Sequence, residues 1–329
     1  MKDIFQNDTP RLAWFQRIIA AALMIGAFLC IYQPEIHAVK EWAKYAPQIT
    51  IAYWLLGLVF LILKIPRLTM VTFASCALLC IYLKNSSNQE LVQPTATNQP
   101  SIQIAQFNLS ASSDNYMALL ETIFTTNAEV VSLQEVPFDR QKWLQDTLKN
   151  IYPHHCNASA IDFYGIQIFS KLPFLTCDTF YSNNIPNLTV SVFPKYSKSS
   201  LYIVSSYVAP PLFSSAYKTM QTQFQSISEK IKTFKQPYIT VGDYNIESSS
   251  SEIQKFRSET DLLDSRRGFQ PIHKDGSINL TEVPTDHIFF SKNFQCVDFQ
   301  TISGQKGIHY GIVGTYQFIQ DSTNVKKTN

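Results

Sequence analysis

Apolar residues follow two different rhythms along this chain. Up to residue 83 they come in three long runs, Leu12–Tyr32, Ile49–Leu63 and Leu68–Leu83. Beyond residue 100 they come in short stretches of strand or helix period. The first run has no charge from Ile18 to Tyr32, and Trp14, Phe15 and Arg17 stand where interfacial anchors belong. About 20 apolar residues cover the ~30 Å hydrocarbon core of a bilayer. The first run therefore predicts a transmembrane helix over about 12–32, and the other two, with their flanks, over about 49–64 and 68–83. Three such runs exceed what a soluble helical hairpin buries. Further apolar segments follow the first run without a small-residue cleavage motif, so it reads as a retained helix rather than a signal peptide.

The remainder reads as alternating strands and helices. Strands are expected at Ser101–Leu109, Ala128–Gln134, Tyr164–Phe169, Leu188–Phe193, Leu201–Val208, Pro237–Val241, Asp286–Phe290, Phe294–Thr301 and Gly311–Phe318. Ser113 or Asp114 can cap a helix reaching about Thr126, with Met117, Leu120 and Ile123 on its apolar face. A second helix lies around Trp143, Leu144 and Leu148. A third carries Met220, Phe224, Ile227, Ile231 and Phe234 at spacings of 4, 3, 4 and 3. Strands joined by both helices and hairpins predict an α/β (α+β) domain with mixed sheets and helices outside.

Composition and charge confirm the division. Of 329 residues, 45% are hydrophobic and 16% charged, against about a quarter charged in ordinary soluble domains. Residues 1–100 hold eight Lys/Arg and five Asp/Glu, a balance of +3; residues 101–329 hold nineteen and twenty, a balance of −1. The scarce glycine (10) excludes collagen-like sequence, and six cysteines are too few for a disulfide scaffold. Residues 1–84 are thus expected to form a membrane region, 85–100 (Asn-Ser-Ser-Asn…Gln-Pro) a polar linker, 101–320 a catalytic domain and 321–329 a polar tail. Lys2, Arg11, Arg17, Lys64 and Arg67 on one side outnumber Lys40, Lys44 and Lys84 on the other. The positive-inside tendency therefore places everything after Lys84 outside the cytoplasm.

The candidate chemistry sits where strands meet loops: Asn108, Glu135, Asp243 with Asn245, Asp286 and His309. Carboxylates and amides without a Cys/His cluster suit a hard cation such as Mg²⁺ or Mn²⁺. A histidine oriented by a carboxylate suits proton transfer. Other residues read as structural: His287 on the opposite face of its strand, His154 and His155 as a solvated loop pair, and Arg266-Arg267 as an exposed pair. At most one disulfide can form among Cys156, Cys177 and Cys296, with no assignment possible.

The ordered set Asn108, Leu-Gln-Glu135, Tyr164-Gly165…Ser170-Lys171-Leu-Pro173, Tyr207…Pro210-Pro211, Gly242-Asp243-Tyr244-Asn245, Asp286-His287-Ile288 and His309 resembles the endonuclease/exonuclease/phosphatase superfamily. The resemblance spans about residues 101–318. It implies a pancreatic-deoxyribonuclease-like fold, two packed mixed β-sheets flanked by helices (a four-layer α/β/β/α sandwich), preceded here by the helical membrane region as in membrane-anchored bacterial members.

It further implies a hydrolase in which Glu135 and Asn108 hold Mg²⁺ or Mn²⁺. Asp243 would position or deprotonate water, Asn245 would bind a phosphate oxygen, and Asp286 would orient His309, the charge-stabilising group or base. Two positions depart from the family pattern. Ser206-Tyr207 replaces a Thr-His pair, which makes Tyr207 a phosphate contact. Gly307-Ile308-His309 replaces Ser-Asp-His, and Ile308 can neither coordinate nor accept a hydrogen bond. The expected function is a membrane-anchored, divalent-metal-dependent phosphoesterase. Its substrate would be a phosphodiester: nucleic acid, nucleotide or phospholipid headgroup. The alternative is a non-catalytic membrane-anchored binding protein on a degenerate fold. A −1 domain lacks the basic footprint of a duplex nuclease, and tethering at a bacterial inner membrane with the domain outside favours substrates found there.

Overall fold

The computed structural model describes residues 10–90, 99–110, 116–158, 164–195, 197, 199–269, 282–304 and 308–319. The proposed helix cap at Ser113/Asp114, Gly307, the tail 321–329 and half of the expected linker (91–98) lie outside them.

Four helices come first: α1 (Pro10–Tyr32), α2 (His37–Ala43), α3 (Ala46–Ile62) and α4 (Pro66–Ser86). Prolines 47 and 66 lie at or next to the first position of α3 and α4, where a missing N–H costs nothing. The short α2 was not anticipated, because the polar stretch between the first two runs has no apolar period. α1 and α4 are each long and apolar enough to cross a membrane; α3 passes that test only together with α2, from which it is bent by 68°. Trp14, Phe28, Trp54, Leu55, Ile62 and Met70 are exposed on these helices, an apolar surface far larger than a soluble protein ordinarily shows to water.

The strands form two six-stranded mixed sheets. The first has the order β11 (Phe294–Ser303), β12 (His309–Phe318), β1 (Ser101–Asn108), β2 (Val130–Gln134), β4 (Ile166–Ser170), β3 (His154–Ala158). The second has the order β5 (Phe174–Ser182), β6 (Ile185–Val192), β7 (Leu201–Ser206), β8 (Tyr238–Asp243), β10 (Asp286–Ser291), β9 (Leu262–Asp264). The strand period of two decides which layer each side chain joins. Ile104, Val130, Ile203 and Val241 face the core between the sheets. Ala105, Val131 and Leu133 face outward, under α5 (Tyr116–Thr126) and α6 (Gln141–Leu148). On the other side Val204 and Phe289 meet α7 (Ser214–Lys232) and α8 (Ser251–Thr260). The result is the expected helix–sheet–sheet–helix sandwich.

Several expectations are corrected. His154 and His155 are not loop residues: they belong to edge strand β3, with rings against Phe174 and Phe169. Met117 lies on the exposed side of α5, where Leu119, Leu120 and Ile123 are buried instead. Arg266 is not exposed but 4% accessible. Cys156 on β3 and Cys177 on β5 form a disulfide, which ties the edge of one sheet to the edge of the other. Cys296 is free and buried. His287 is structural as expected: it is fully buried, with Nε2 2.8 Å from the Ile246 carbonyl and Nδ1 3.4 Å from Asp264.

The helical region docks on the sandwich through one end. Gln33 Oε1 accepts from Ser251 N at 2.9 Å, and Asn88 Nδ2 donates to the Asp264 carbonyl at 2.5 Å. Tyr82 donates to the Ser249 carbonyl, and Lys40 pairs with Glu252. Gln254 and Arg257 both donate to the Ser86 carbonyl, each at 2.9 Å. These contacts come from the C-terminal ends of α1 and α4 and from α2, all at the same end of the helices.

Candidate active site

Strand direction brings the candidate residues together. β1 and β2 run parallel, so Asn108 and Glu135 emerge side by side. β12 runs antiparallel to β1, so its first residue, His309, begins at that same edge. In the second sheet Asp243 at the end of β8 is paired in register with Asp286 at the start of β10. One edge of the sandwich therefore collects all five.

Asn108 Nδ2 donates to Glu135 Oε1 at 2.8 Å and lies 3.5 Å from Asp243 Oδ2, linking the sheets. Its amide oxygen accepts from Ser110 N at 3.0 Å. Asp243 Oδ1 accepts from Asn245 N at 2.9 Å, and Asn245 Nδ2 donates to the Val208 carbonyl at 2.8 Å. Glu135 (φ 52°) and Asn245 (φ 53°) both adopt the left-handed backbone, a sparsely populated conformation for a glutamate that is held where structure over-determines it. His309 Nε2 is in short contact with Asp286 Oδ2, and His309 Nδ1 stands 3.8 Å from Glu282 Oε1. Tyr207 is buried, with its ring 5.5 Å from that of Tyr164.

Electrostatics follow from this crowding. Burial, then the charge of Asp286, push Asp243 up to about 8. Burial opposes protonation of His309, but the hydrogen bond and charge of Asp286, with Glu282 beyond, outweigh it and raise the imidazole above its ordinary value. Burial and the charges of Glu135 and Asp243 raise Tyr207 well above an ordinary phenol, so its hydroxyl stays a donor.

The donor set suits a divalent cation. Glu135 and Asp243 offer hard carboxylate oxygens, and Asn108 would offer its own once its amide, now turned with Nδ2 toward both carboxylates and its oxygen toward Ser110, rotates. Beyond burial, Asp243 is raised by the charges of Asp286 and Glu135, which a cation would offset. Among the described residues no three His, Cys, Asp or Glu side chains form a complete cage.

Three groups escaped the sequence reading. Gln134, fully buried between the sheets, accepts from Asp243 N at 2.7 Å and donates to the Ser206 carbonyl at 2.8 Å. It thereby fixes the end of β8. The signal was present in Leu-Gln-Glu135, but only the glutamate was given a role. Arg266 sends Nη2 to the Asp286 carbonyl at 3.2 Å, behind the Asp286–His309 pair. Glu282 flanks His309, and nothing in its local sequence indicated so. Ile308 is exposed beside His309, its carbonyl accepting from Gly304 N at 2.7 Å.

Comparison with known proteins places this geometry. A model described as the Endonuclease/Exonuclease/phosphatase family matches residues 105–306. Similar solved structures include an endonuclease/exonuclease/phosphatase from Beutenbergia cavernae DSM 12333, with 16% identity, 67% of this chain and 72% of that one covered, and TM-score 0.54. D. rerio TDP2 complexed with single strand DNA product shows 18% identity over 66% of this chain and 98% of that one, with TM-score 0.52. ANGEL2, a 2',3'-cyclic phosphatase in complex with adenosine-2',3'-vanadate, shows 12% identity over 70% and 99%, with TM-score 0.53. At such identities the likeness is one of fold. No curated protein matches the chain in sequence.

Proposed function

The chain belongs to the endonuclease/exonuclease/phosphatase family, and from that premise we propose that it is a membrane-anchored, divalent-metal-dependent phosphodiesterase. Members of the family are hydrolases of phosphate esters. The observation that carries the reading is the convergence of Asn108, Glu135, Asp243 and the Asp286–His309 pair on one edge of the sandwich.

Glu135 and Asn108 would hold the ion, which supplies neutralisation of phosphate charge and polarisation of a phosphoryl oxygen. Asp243 accepts a proton as the oxygen of water bonds to phosphorus; burial and Asp286 strengthen its hold on that proton, and the ion, when bound, would favour the ionised carboxylate that the step requires. The P–O bond to the leaving alcohol breaks, and the departing oxygen takes a proton from His309, kept charged by Asp286. The Tyr207 hydroxyl and the Asn245 amide donate to the non-bridging oxygens, fixed donors aimed where charge develops. Ile308 in place of the family's Asp leaves the Asp286–His309 pair intact, which favours an enzyme over a non-catalytic binder.

The anchor reading rests on α1 and α4, long and apolar enough to cross a membrane, and on their exposed apolar faces. The Cys156–Cys177 disulfide supports a domain outside the cytoplasm, where such bonds persist. Hydrolysis of bis-p-nitrophenyl phosphate with Mg²⁺ or Mn²⁺ tests the reading. The wild-type chain is expected to turn over, and His309→Ala to lose about 10²-fold in kcat. A wild type as inactive as the variant with either ion would refute it.

A further inference from the structure

Among the described residues of the sandwich, the most exposed large apolar side chain is Leu212, at 73%, and Phe213 beside it is 59% exposed. A fixed frame holds them out. Val208 N donates to the Asp243 carbonyl at 3.0 Å and Ala209 N to Gln223 Oε1 at 3.1 Å. Pro210 and Pro211 stiffen the next step, and α7 begins at Ser214. The Val208 carbonyl also accepts from Asn245 Nδ2, so the loop belongs to the rim of the active site.

The loop stands where the helical region meets the sandwich. Leu212 lines the same cleft as Lys44 and Tyr45, and Tyr45 is the residue from which α3 starts. The first turn of α7 packs on α2: the rings of His37 and Tyr217 lie 5.7 Å apart, and Lys40 stands 4.9 Å over Tyr217. α2 itself lies across the end of α1. Lys40 reaches from it into the sandwich, to Glu252. Trp42, on its opposite side, reaches α1 at Gly26, where an added Cβ would lie 3.1 Å from the indole. Gly26 is roughly 9 Å back along α1 from its last residue, Tyr32. Tyr32, Trp42 and Tyr45 are all exposed where the apolar helices end, and aromatic side chains gather at the boundary between bilayer and water. Leu212 and Phe213 sit beside that belt.

Charge agrees with this placement. From Tyr207 to Ser228 the sequence has no Asp or Glu and one lysine, Lys218. The nearby acids Glu35 and Glu41 are paired with Lys40 and Lys44. An apolar pair on an acid-free segment, next to a helix that enters the membrane region, suits the interface of an anionic leaflet.

We propose that Leu212 and Phe213 rest in the interface of the same bilayer that holds the helical region, so that the rim of the active site is seated on the membrane surface. The inference goes beyond the phosphodiesterase reading and shares with it only the anchor. The sandwich is then held to the bilayer at two places, and the occupant of the exposed pair is lipid.

The test uses the full chain with Cys80→Ser in vesicles of phosphatidylcholine and phosphatidylglycerol; among the described residues the other free cysteines, Cys30, Cys76 and Cys296, are buried. A nitrobenzoxadiazole probe is attached at Leu212→Cys, at Ile25→Cys on α1, or at Met117→Cys on α5, in the helix layer on the far side of the sandwich. All three positions are exposed. Lipid carrying a spin label near the headgroup is expected to quench the Leu212 probe at least about twofold more than the Met117 probe. Equal quenching at the two overturns the proposal. The anchor fails separately, since deep spin-labelled lipid reads it at Ile25. Quenching at Ile25 with none at Leu212 keeps the anchor and removes the loop contact; quenching at Leu212 with none at Ile25 does the reverse. A Leu212 probe shielded from iodide but not quenched by lipid lies against protein, a second copy or another partner, and overturns the bilayer as occupant. In the unlabelled chain a photoactivatable phospholipid should cross-link to the peptide containing Leu212 and Phe213, and cross-links confined to the helical region would contradict the contact.

Discussion

Asp243→Asn is expected to lower kcat for bis-p-nitrophenyl phosphate by about 10³-fold while making the metal-free protein more stable at pH 7. The two effects have one origin. Asp243 is 8% exposed, beside Asp286 and facing Glu135. Its folded-state pKa of about 8 lies above the unfolded value of about 3.9. The folded state therefore holds its proton more tightly, and stability is lost progressively as pH rises from about 4 through about 8. Asparagine carries no such cost, and its side-chain oxygen can still accept from Asn245 N. It cannot accept a proton from water. Thermal unfolding in EDTA across pH 5–9, beside steady-state kinetics with Mg²⁺, reads both. A variant of wild-type activity would remove Asp243 from the chemistry. A variant less stable at pH 7 would show that the carboxylate is not under electrostatic stress.

Gly242→Ala should be the most damaging single-methyl change in the sandwich, costing about 3 kcal/mol or more and abolishing activity. A Cβ at this position would lie 1.8 Å from the Ser206 carbonyl oxygen and 2.6 Å from Gln134 Nε2. Neither can retreat cheaply. Ser206 O is the acceptor of Gln134 Nε2, and the same glutamine holds Asp243 N. The methyl group would push β7 from β8, break the buried amide bridge and move Asp243 out of reach of Asn108. Urea unfolding with an unchanged slope and a lowered midpoint would report the loss. A midpoint equal to the wild type would mean that the close approach of the strands does not determine the position of Asp243.

The central strands were legible because apolar residues recur through them, alternating with glutamines in β1 (Ser-Ile-Gln-Ile-Ala-Gln-Phe-Asn) and clustered in β2, β7, β8 and β10. Of the edge strands, β11 was expected as Phe294–Thr301, but β3, β5 and β9 were not. β3 (His-His-Cys-Asn-Ala) and β5 (Phe-Leu-Thr-Cys-Asp-Thr-Phe-Tyr-Ser) are half-exposed and polar, and only pairing with β4 and β6 makes strands of them. Their disulfide followed the same rule, since two cysteines 21 residues apart gave no sign that opposite sheet edges meet. α8 left a usable signal, the Ser250 cap accepting from Ile253 N ahead of Ile253 and Phe256. In the site, residues at strand ends could be found because the chemistry is local. Gln134 and Glu282 act across the sandwich, and Arg266 acts across the β9–β10 pair of one sheet, so their roles exist only once distant strands meet.

The measurement closest to the central claim is a metal titration of phosphodiester hydrolysis by the full chain. After EDTA treatment, bis-p-nitrophenyl phosphate should not be cleaved, and Mg²⁺ or Mn²⁺ should restore turnover along a saturable curve. Glu135→Gln should move the half-saturating metal concentration upward by about tenfold or more, because it would remove the principal anionic ligand proposed for the ion. Turnover that survives EDTA, or a Glu135→Gln curve superimposed on that of the wild type, would contradict the account.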